Sequence, residues 1–98
     1  MIETIKDKSL KLLYEKGDVS KIRPDLLRKV ENILARLDAA KELKDMSAPG
    51  LKLHELKGDR KGTWSVTVKG NWRITFNMED EKVYNVNLED YHWYERNV

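Results

Sequence analysis

The stretch Thr63-Trp64-Ser65-Val66-Thr67-Val68-Lys69-Gly70-Asn71-Trp72-Arg73-Ile74-Thr75-Phe76-Asn77-Met78 decides the fold. On both sides of Gly70-Asn71, apolar and polar residues alternate with the two-residue period of a strand that buries one face. Trp64, Val66 and Val68 share a face in the first run; Trp72, Ile74, Phe76 and Met78 share one in the second. Two such runs joined by a glycine-containing tight turn predict an antiparallel hairpin. Beyond it, Glu79 to Lys82 is a polar turn, and Lys82 to Glu89 predicts a further strand with Tyr84, Val86 and Leu88 inward. Before it, Leu51 to Leu53 also alternates and adds a strand, while Ile2 and Ile5 suit a short opening strand.

The first half of the chain follows a different period. Asp7 to Lys16 predicts a short helix with Leu10, Leu13 and Tyr14 on one face, ended by Gly17. Pro24 suits the first turn of a second helix, with Asp25 near its positive end. Leu26, Leu27, Val30, Ile33, Leu34 and Leu37 then recur at steps of three and four, so this helix runs to about Ala40. Met46 to Gly50 reads as a break. The expected class is α+β with two layers: an antiparallel sheet with two N-terminal helices packed on one face. Simple alternation then leaves Thr63, Ser65, Thr67, Arg73, Thr75 and Asn77 on the opposite face, with no chain left to cover it.

Ninety-eight residues make a single domain, 1–98. A mixture of 37% charged and 40% hydrophobic residues suits a soluble globular domain, and no apolar run reaches membrane-spanning length. The N-terminal residues lack a signal-peptide stretch, and a cytoplasmic location is the expectation. With no cysteine, thiol catalysis, disulfides and cysteine-ligated metals are excluded; two histidines make a structural metal site unexpected, and neither metal nor cofactor is implied. Charge is unevenly spread. Lys52, Lys57, Arg60, Lys61, Lys69 and Arg73 face only Glu55 and Asp59 in their segment, whereas Glu79, Asp80, Glu81, Glu89, Asp90 and Glu95 outnumber Lys82 in theirs. Such a basic segment suits a polyanion, nucleic acid first; the plainer reading is two solvated surfaces of opposite sign.

No Walker loop, GxGxxG, HExxH or GxSxG occurs. The remaining chemistry is scattered: His54; His92 beside Asp90 and Tyr91; and the cations Lys57, Arg60, Lys61 and Arg73. A carboxylate can hold an imidazole's tautomer, and a phenol can share a proton. Trp64 and Trp72 match the core alternation, while Trp93 is open to stacking on a base, capping the core or meeting a partner. Cations, two imidazoles, an acid and a phenol suit metal-free cleavage of RNA, where the ribose 2′-OH is the internal nucleophile. They equally suit RNA binding without chemistry.

Leu51-Lys52-Leu53-His54-Glu55-Leu56-Lys57-Gly58-Asp59-Arg60-Lys61-Gly62-Thr63-Trp64-Ser65-Val66, then Lys69-Gly70-Asn71-Trp72-Arg73-Ile74-Thr75-Phe76, then Glu89-Asp90-Tyr91-His92 resemble, in order and spacing, the HigB-type plasmid-maintenance killer proteins of the RelE/ParE toxin superfamily. The resemblance spans nearly the whole chain. It implies a RelE-like microbial ribonuclease fold and a type II toxin that cuts messenger RNA in the ribosomal decoding site. It also implies a cognate helix-turn-helix antitoxin of the HigA kind, through which alone operator DNA is met. By motif it assigns proton transfer to His92, with Asp90 orienting it or sharing the task and Tyr91 positioning the substrate or assisting the proton path. Arg73 and Lys57 would hold the scissile phosphate, and His54 would be a second proton-transfer or phosphate group. Arg60 and Lys61 would meet ribosomal RNA, and Asn71 and Thr75 would contact RNA. Three departures stand out: Glu55 where many relatives have proline, Asn77 where many have a basic or longer side chain, and a tail from Trp93 to Val98 that runs past the end of many relatives. Two other functions fit the superfamily: a ParE-like, non-enzymatic inhibitor of DNA gyrase, and an inactive relative serving only in operon repression.

Overall fold

The structure is a computed structural model, and it describes residues 1–90. Tyr91, His92 and Trp93 lie outside the described residues. Helix α1 spans Lys8–Lys16 and helix α2 spans Pro24–Ala39. They are followed by four strands: β1 (His54–Glu55), β2 (Trp64–Lys69), β3 (Trp72–Glu79) and β4 (Lys82–Asp90). The strands form an antiparallel sheet in the order β1-β2-β3-β4.

Local chemistry sets the helix ends. The Asp7 carboxylate accepts the Leu10 N–H at 2.9 Å, satisfying one of the donors that an α-helix leaves open at its start. Gly17 closes α1 at φ +67°, where a side chain would be strained, and its N–H reaches back to the Leu12 and Leu13 carbonyls. Pro24 opens α2, as expected.

The apolar stripe of α2 packs with Leu10 and Leu13 of α1 onto one face of the sheet. There Val66, Ile74, Phe76, Val83 and Val86 are wholly buried. Trp64 and Trp72 pack against this core but stay partly exposed. Met46 belongs to the core and is completely buried, closing a one-turn 3₁₀ helix, Leu43–Met46, rather than standing in an open break.

Three sequence expectations change. The strand expected at Leu51–Leu53 begins later, at His54, because Lys52 takes a left-handed conformation (φ +51°) that interrupts the ladder. Leu51 still contributes one rung: its carbonyl accepts the Thr67 N–H at 2.7 Å. In β4 the inward residue is Val83 and not Tyr84. A bulge at Asn85 (φ +56°) sets three steps of β4 against two of β3, between Asn77↔Tyr84 and Thr75↔Asn87, and so reverses the alternation within the strand. Ile2 and Ile5 form no named strand, only isolated parallel bridges to Val83 and Val86. Between those bridges the bulged Asn85 N–H is taken by the Thr4 hydroxyl at 2.8 Å, so the N-terminal segment still covers the outer edge of β4.

Candidate active site

Strand register places the candidate residues. Directly paired residues in an antiparallel sheet project from the same face. His54 pairs with Ser65, Ser65 with Thr75, and Thr75 with Asn87, giving one row across all four strands. Thr67, Arg73 and Glu89 form the next row along the strands. Both rows lie on the face away from α1 and α2. His54 and Arg73, separated by nineteen positions in the chain, therefore share one surface. With strands ~4.8 Å apart and residues ~3.3 Å apart along them, their Cα atoms are about 12 Å apart, a gap that two long side chains can bridge around a ligand.

His54 is exposed, and its Nδ1 lies 3.0 Å from the Lys52 carbonyl oxygen. A carbonyl only accepts, so this contact puts the proton on Nδ1 and makes Nε2 the accepting nitrogen of the neutral ring. Glu55, the neighbour that departs from the family pattern, points its carboxylate elsewhere and accepts the Gly62 N–H at 2.8 Å. The Arg73 guanidinium donates through Nη1 to the carbonyls of Gly70 (2.5 Å) and Trp72 (3.2 Å), which ties it to the hairpin turn.

The face is less open than simple alternation suggests. A one-turn 3₁₀ helix, Gly58–Arg60, folds back over it. From that turn Arg60 forms a two-pronged ion pair with Glu89, Nη1 to Oε1 at 2.8 Å and Nη2 to Oε2 at 2.7 Å. Thr75 donates its hydroxyl to the same carboxylate at 2.5 Å. Only a tenth of the Glu89 side chain is exposed, and Thr75 and Ser65 are buried. Burial by itself would raise the Glu89 pKa. The hydrogen bonds from Arg60 and Thr75, with the Arg60 charge, outweigh it and hold the carboxyl below its usual range. The Ser65 hydroxyl is buried with no hydrogen-bond partner among the described residues.

Several expected contacts are therefore redistributed. Arg60 and Thr75 are committed to Glu89, so neither stands as a simple outward contact for RNA. Lys57, Lys61 and Asn71 are exposed, Lys57 just before the 3₁₀ turn, Lys61 just after it, and Asn71 in the β2–β3 turn. Asn77 donates to the Gly62 carbonyl (2.9 Å) and the Thr63 hydroxyl (3.2 Å), pinning the same segment from the sheet. Asp90 pairs with Trp72, and that parity puts it on the helix-side face, away from Arg73 and Glu89. There it lines a shallow concavity of about 240 Å³ with Arg23, Asp25, Lys69 and Trp72. Tyr91 and His92, expected to complete the site, lie outside the described residues.

Glu89 is the residue that the sequence reading passed over. It stands there as one acid of an acidic segment and as the first residue of the Glu89-Asp90-Tyr91-His92 motif, with no role of its own, although its outward parity is implied by Val86 and Leu88 facing in. Among the described residues no three His, Cys, Asp or Glu side chains converge as a metal site requires, and no helix is long and apolar enough to cross a membrane.

Comparison with known proteins adds independent information. Residues 3–92 match the family described as RelE-like toxin of type II toxin–antitoxin system HigB. The chain is 45% identical over 92 residues to a Proteus vulgaris protein named Endoribonuclease HigB, covering 94% of this chain and all of that protein. Among solved structures, YafQ from E. coli strain BL21(DE3) superposes with a TM-score of 0.62 at 17% identity, over 92% of this chain and 91% of that one. The YoeB dimer from Staphylococcus aureus gives 0.58 at 16% identity, over 93% and 94%. At such identities these two likenesses speak for the fold alone.

Proposed function

Since this chain belongs to the HigB family of RelE-like toxins of type II toxin–antitoxin systems, we propose that it arrests growth by cutting messenger RNA in the decoding site of the translating ribosome. It is an endoribonuclease toxin, and an antitoxin is its partner. The observation that carries the reading is the 45% identity, over the whole length of the relative, to a protein named as an endoribonuclease. The geometry supports it: an exposed imidazole and a guanidinium share one sheet face, and the exposed cation Lys57 precedes the turn that folds back over that face.

The chemistry needs no group that the protein lacks. The ribose 2′-OH of the substrate attacks the adjacent phosphate once a base takes its proton. The 5′-oxygen of the next nucleotide then leaves and receives a proton from an acid. Arg73 and Lys57 offset the charge that builds on the phosphate oxygens. His54, protonated on Nδ1 by its contact with the Lys52 carbonyl, presents Nε2 for proton exchange or phosphate contact. His92, with Tyr91, supplies the remaining proton transfer; Asp90, turned to the helix-side face, takes no part in it. Lys61 and Asn71 extend the cationic and polar surface toward RNA. The antitoxin is of the helix-turn-helix HigA kind and carries the complex to its operator.

The test is primer extension on a defined messenger RNA in a purified translation system with three arms: toxin with translating ribosomes, toxin with naked RNA, and His92→Ala with ribosomes. Discrete in-frame cleavage in the first arm alone is expected. Cleavage that survives in the third arm moves proton transfer to His54. Growth arrest by folded protein with no cleavage in any arm overturns the nuclease reading and points to gyrase.

A further inference from the structure

The segment between β1 and β2 carries Lys57 and Lys61, two cations of the nuclease surface, yet few apolar contacts hold it. Residues 58–62 are all exposed or intermediate, and the buried Leu56 precedes them. Its attachments are polar. Gly62 is held at the far end by the Glu55 carboxylate and the Asn77 amide. In the middle, the attachment to the sheet is Arg60 on Glu89. The Arg60 N–H also donates to the Lys57 carbonyl at 3.4 Å, closing the turn, so wherever Arg60 is fixed Lys57 follows.

Glu89 is itself in the row of Thr67 and Arg73, paired across the ladder with Arg73. A bare carboxylate there would repel a phosphate. Both its oxygens are taken: Oε1 by Arg60, and Oε2 by Arg60 and Thr75. That makes it a poor proton acceptor and argues against a role as general base. Its chemistry suits anchoring.

We propose that Glu89 is a positioning residue for RNA cleavage: by gripping Arg60 across the sheet it fixes the 57–62 segment, and with it Lys57, against the face that holds Arg73 and His54. The inference rests on the nuclease reading above. It assigns Arg60 to the interior of the toxin's own site rather than to ribosomal RNA.

The experiment is a double-mutant cycle on the full chain, measuring single-turnover cleavage with ribosomes for wild type, Glu89→Gln, Lys57→Ala and the double variant. The wild-type arm tests the nuclease reading; if it does not cleave, that reading falls before the cycle is scored. With wild type active, Glu89→Gln is expected to slow the cleavage step ~10-fold or more, the scale that misplacement of a charge-stabilising group by a fraction of an ångström produces. In the Lys57→Ala background the same change is expected to cost less than twofold. A factor that is the same in both backgrounds, or full activity of Glu89→Gln, overturns the proposal. A merely structural weakening would lower the active fraction equally in both and would leave no coupling. If Glu89→Gln fails to fold, Arg60→Lys, which keeps the charge but loses the paired contact, takes its place in the cycle under the same two criteria.

Discussion

Replacing Arg60 with alanine should cost stability in a way that depends on pH. The guanidinium makes two charge-assisted hydrogen bonds to a carboxylate whose side chain is only a tenth exposed, while its own side chain is 30% exposed. Hydrogen bonds to charged groups contribute about 1.5–3 kcal/mol each, and stripping the partner from a fully buried ion costs about 3–5 kcal/mol. Here the Thr75 hydroxyl stays on the carboxylate, and the exposure of Arg60 discounts its share. A loss of about 2 kcal/mol at neutral pH follows, equivalent to a fall in Tm on the order of 10 °C for a chain of this size. The pH dependence has a definite sign. Glu89 has a lowered pKa in the folded protein, so its stabilising contribution is complete above the ordinary glutamate range and fades as pH falls through the lower folded value. Without Arg60, burial is no longer outweighed, and the variant is penalised most where Glu89 must stay ionised. Both effects make the gap between the two proteins widest at neutral pH and narrowest in acid. Urea unfolding, followed by the fluorescence of the partly buried Trp64 and Trp72, measures the gap at pH 7 and again at about pH 4. A difference under about 0.5 kcal/mol at pH 7, or one that does not shrink in acid, refutes the reasoning.

Other outcomes follow from the same structure. Arg73→Ala should reduce cleavage by about 10²–10³-fold at saturating ribosomes, whereas Lys61→Ala should weaken RNA engagement modestly and most at low salt; equal effects of the two in kinetic assays would remove Arg73 from the reaction. Phe76→Ala, at a wholly buried position, should cost about 3–5 kcal/mol, and a loss below 1 kcal/mol in chemical denaturation would contradict the core assignment. Asn85→Val should destabilise by about 1–3 kcal/mol because a β-branched residue must adopt φ +56°; a variant as stable as wild type would argue against the bulge. Asp38 accepts the Ile2 N–H and the Tyr14 hydroxyl, which lower its pKa while pushing the Tyr14 pKa up to about 12. Asp38→Asn should therefore bring Tyr14 titration, read by ultraviolet absorbance, down toward the ordinary tyrosine value; no change would mean that the contact is not held in solution.

Period was enough to read the elements that bury one face. The α2 stripe from Leu26 to Leu37, the Gly17 stop and the hairpin about Gly70-Asn71 are local matters: side-chain spacing, a left-handed glycine and a tight turn. Alternation likewise put Arg73 outward and Trp72 inward. Its failures have a common cause, the left-handed residues that no period announces. Lys52 delays β1, and Asn85 turns Tyr84 out and Val83 in.

Residues matched by motif point to a chemistry: His54, Lys57 and Arg73 are separated in sequence, yet their types suit metal-free work on a phosphate. Which groups meet was settled across the sheet. Pairing, and not adjacency, sets His54 in the row of Ser65 and Thr75, and turns the neighbours Glu89 and Asp90 to opposite faces. Arg60 looked like one more surface cation until folding brought it twenty-nine residues along the chain onto Glu89. Spacing along a chain encodes which face a side chain takes, because backbone geometry repeats locally. The partner of a charge depends on register and on the path of a loop over that face, and those exist only once distant segments have packed.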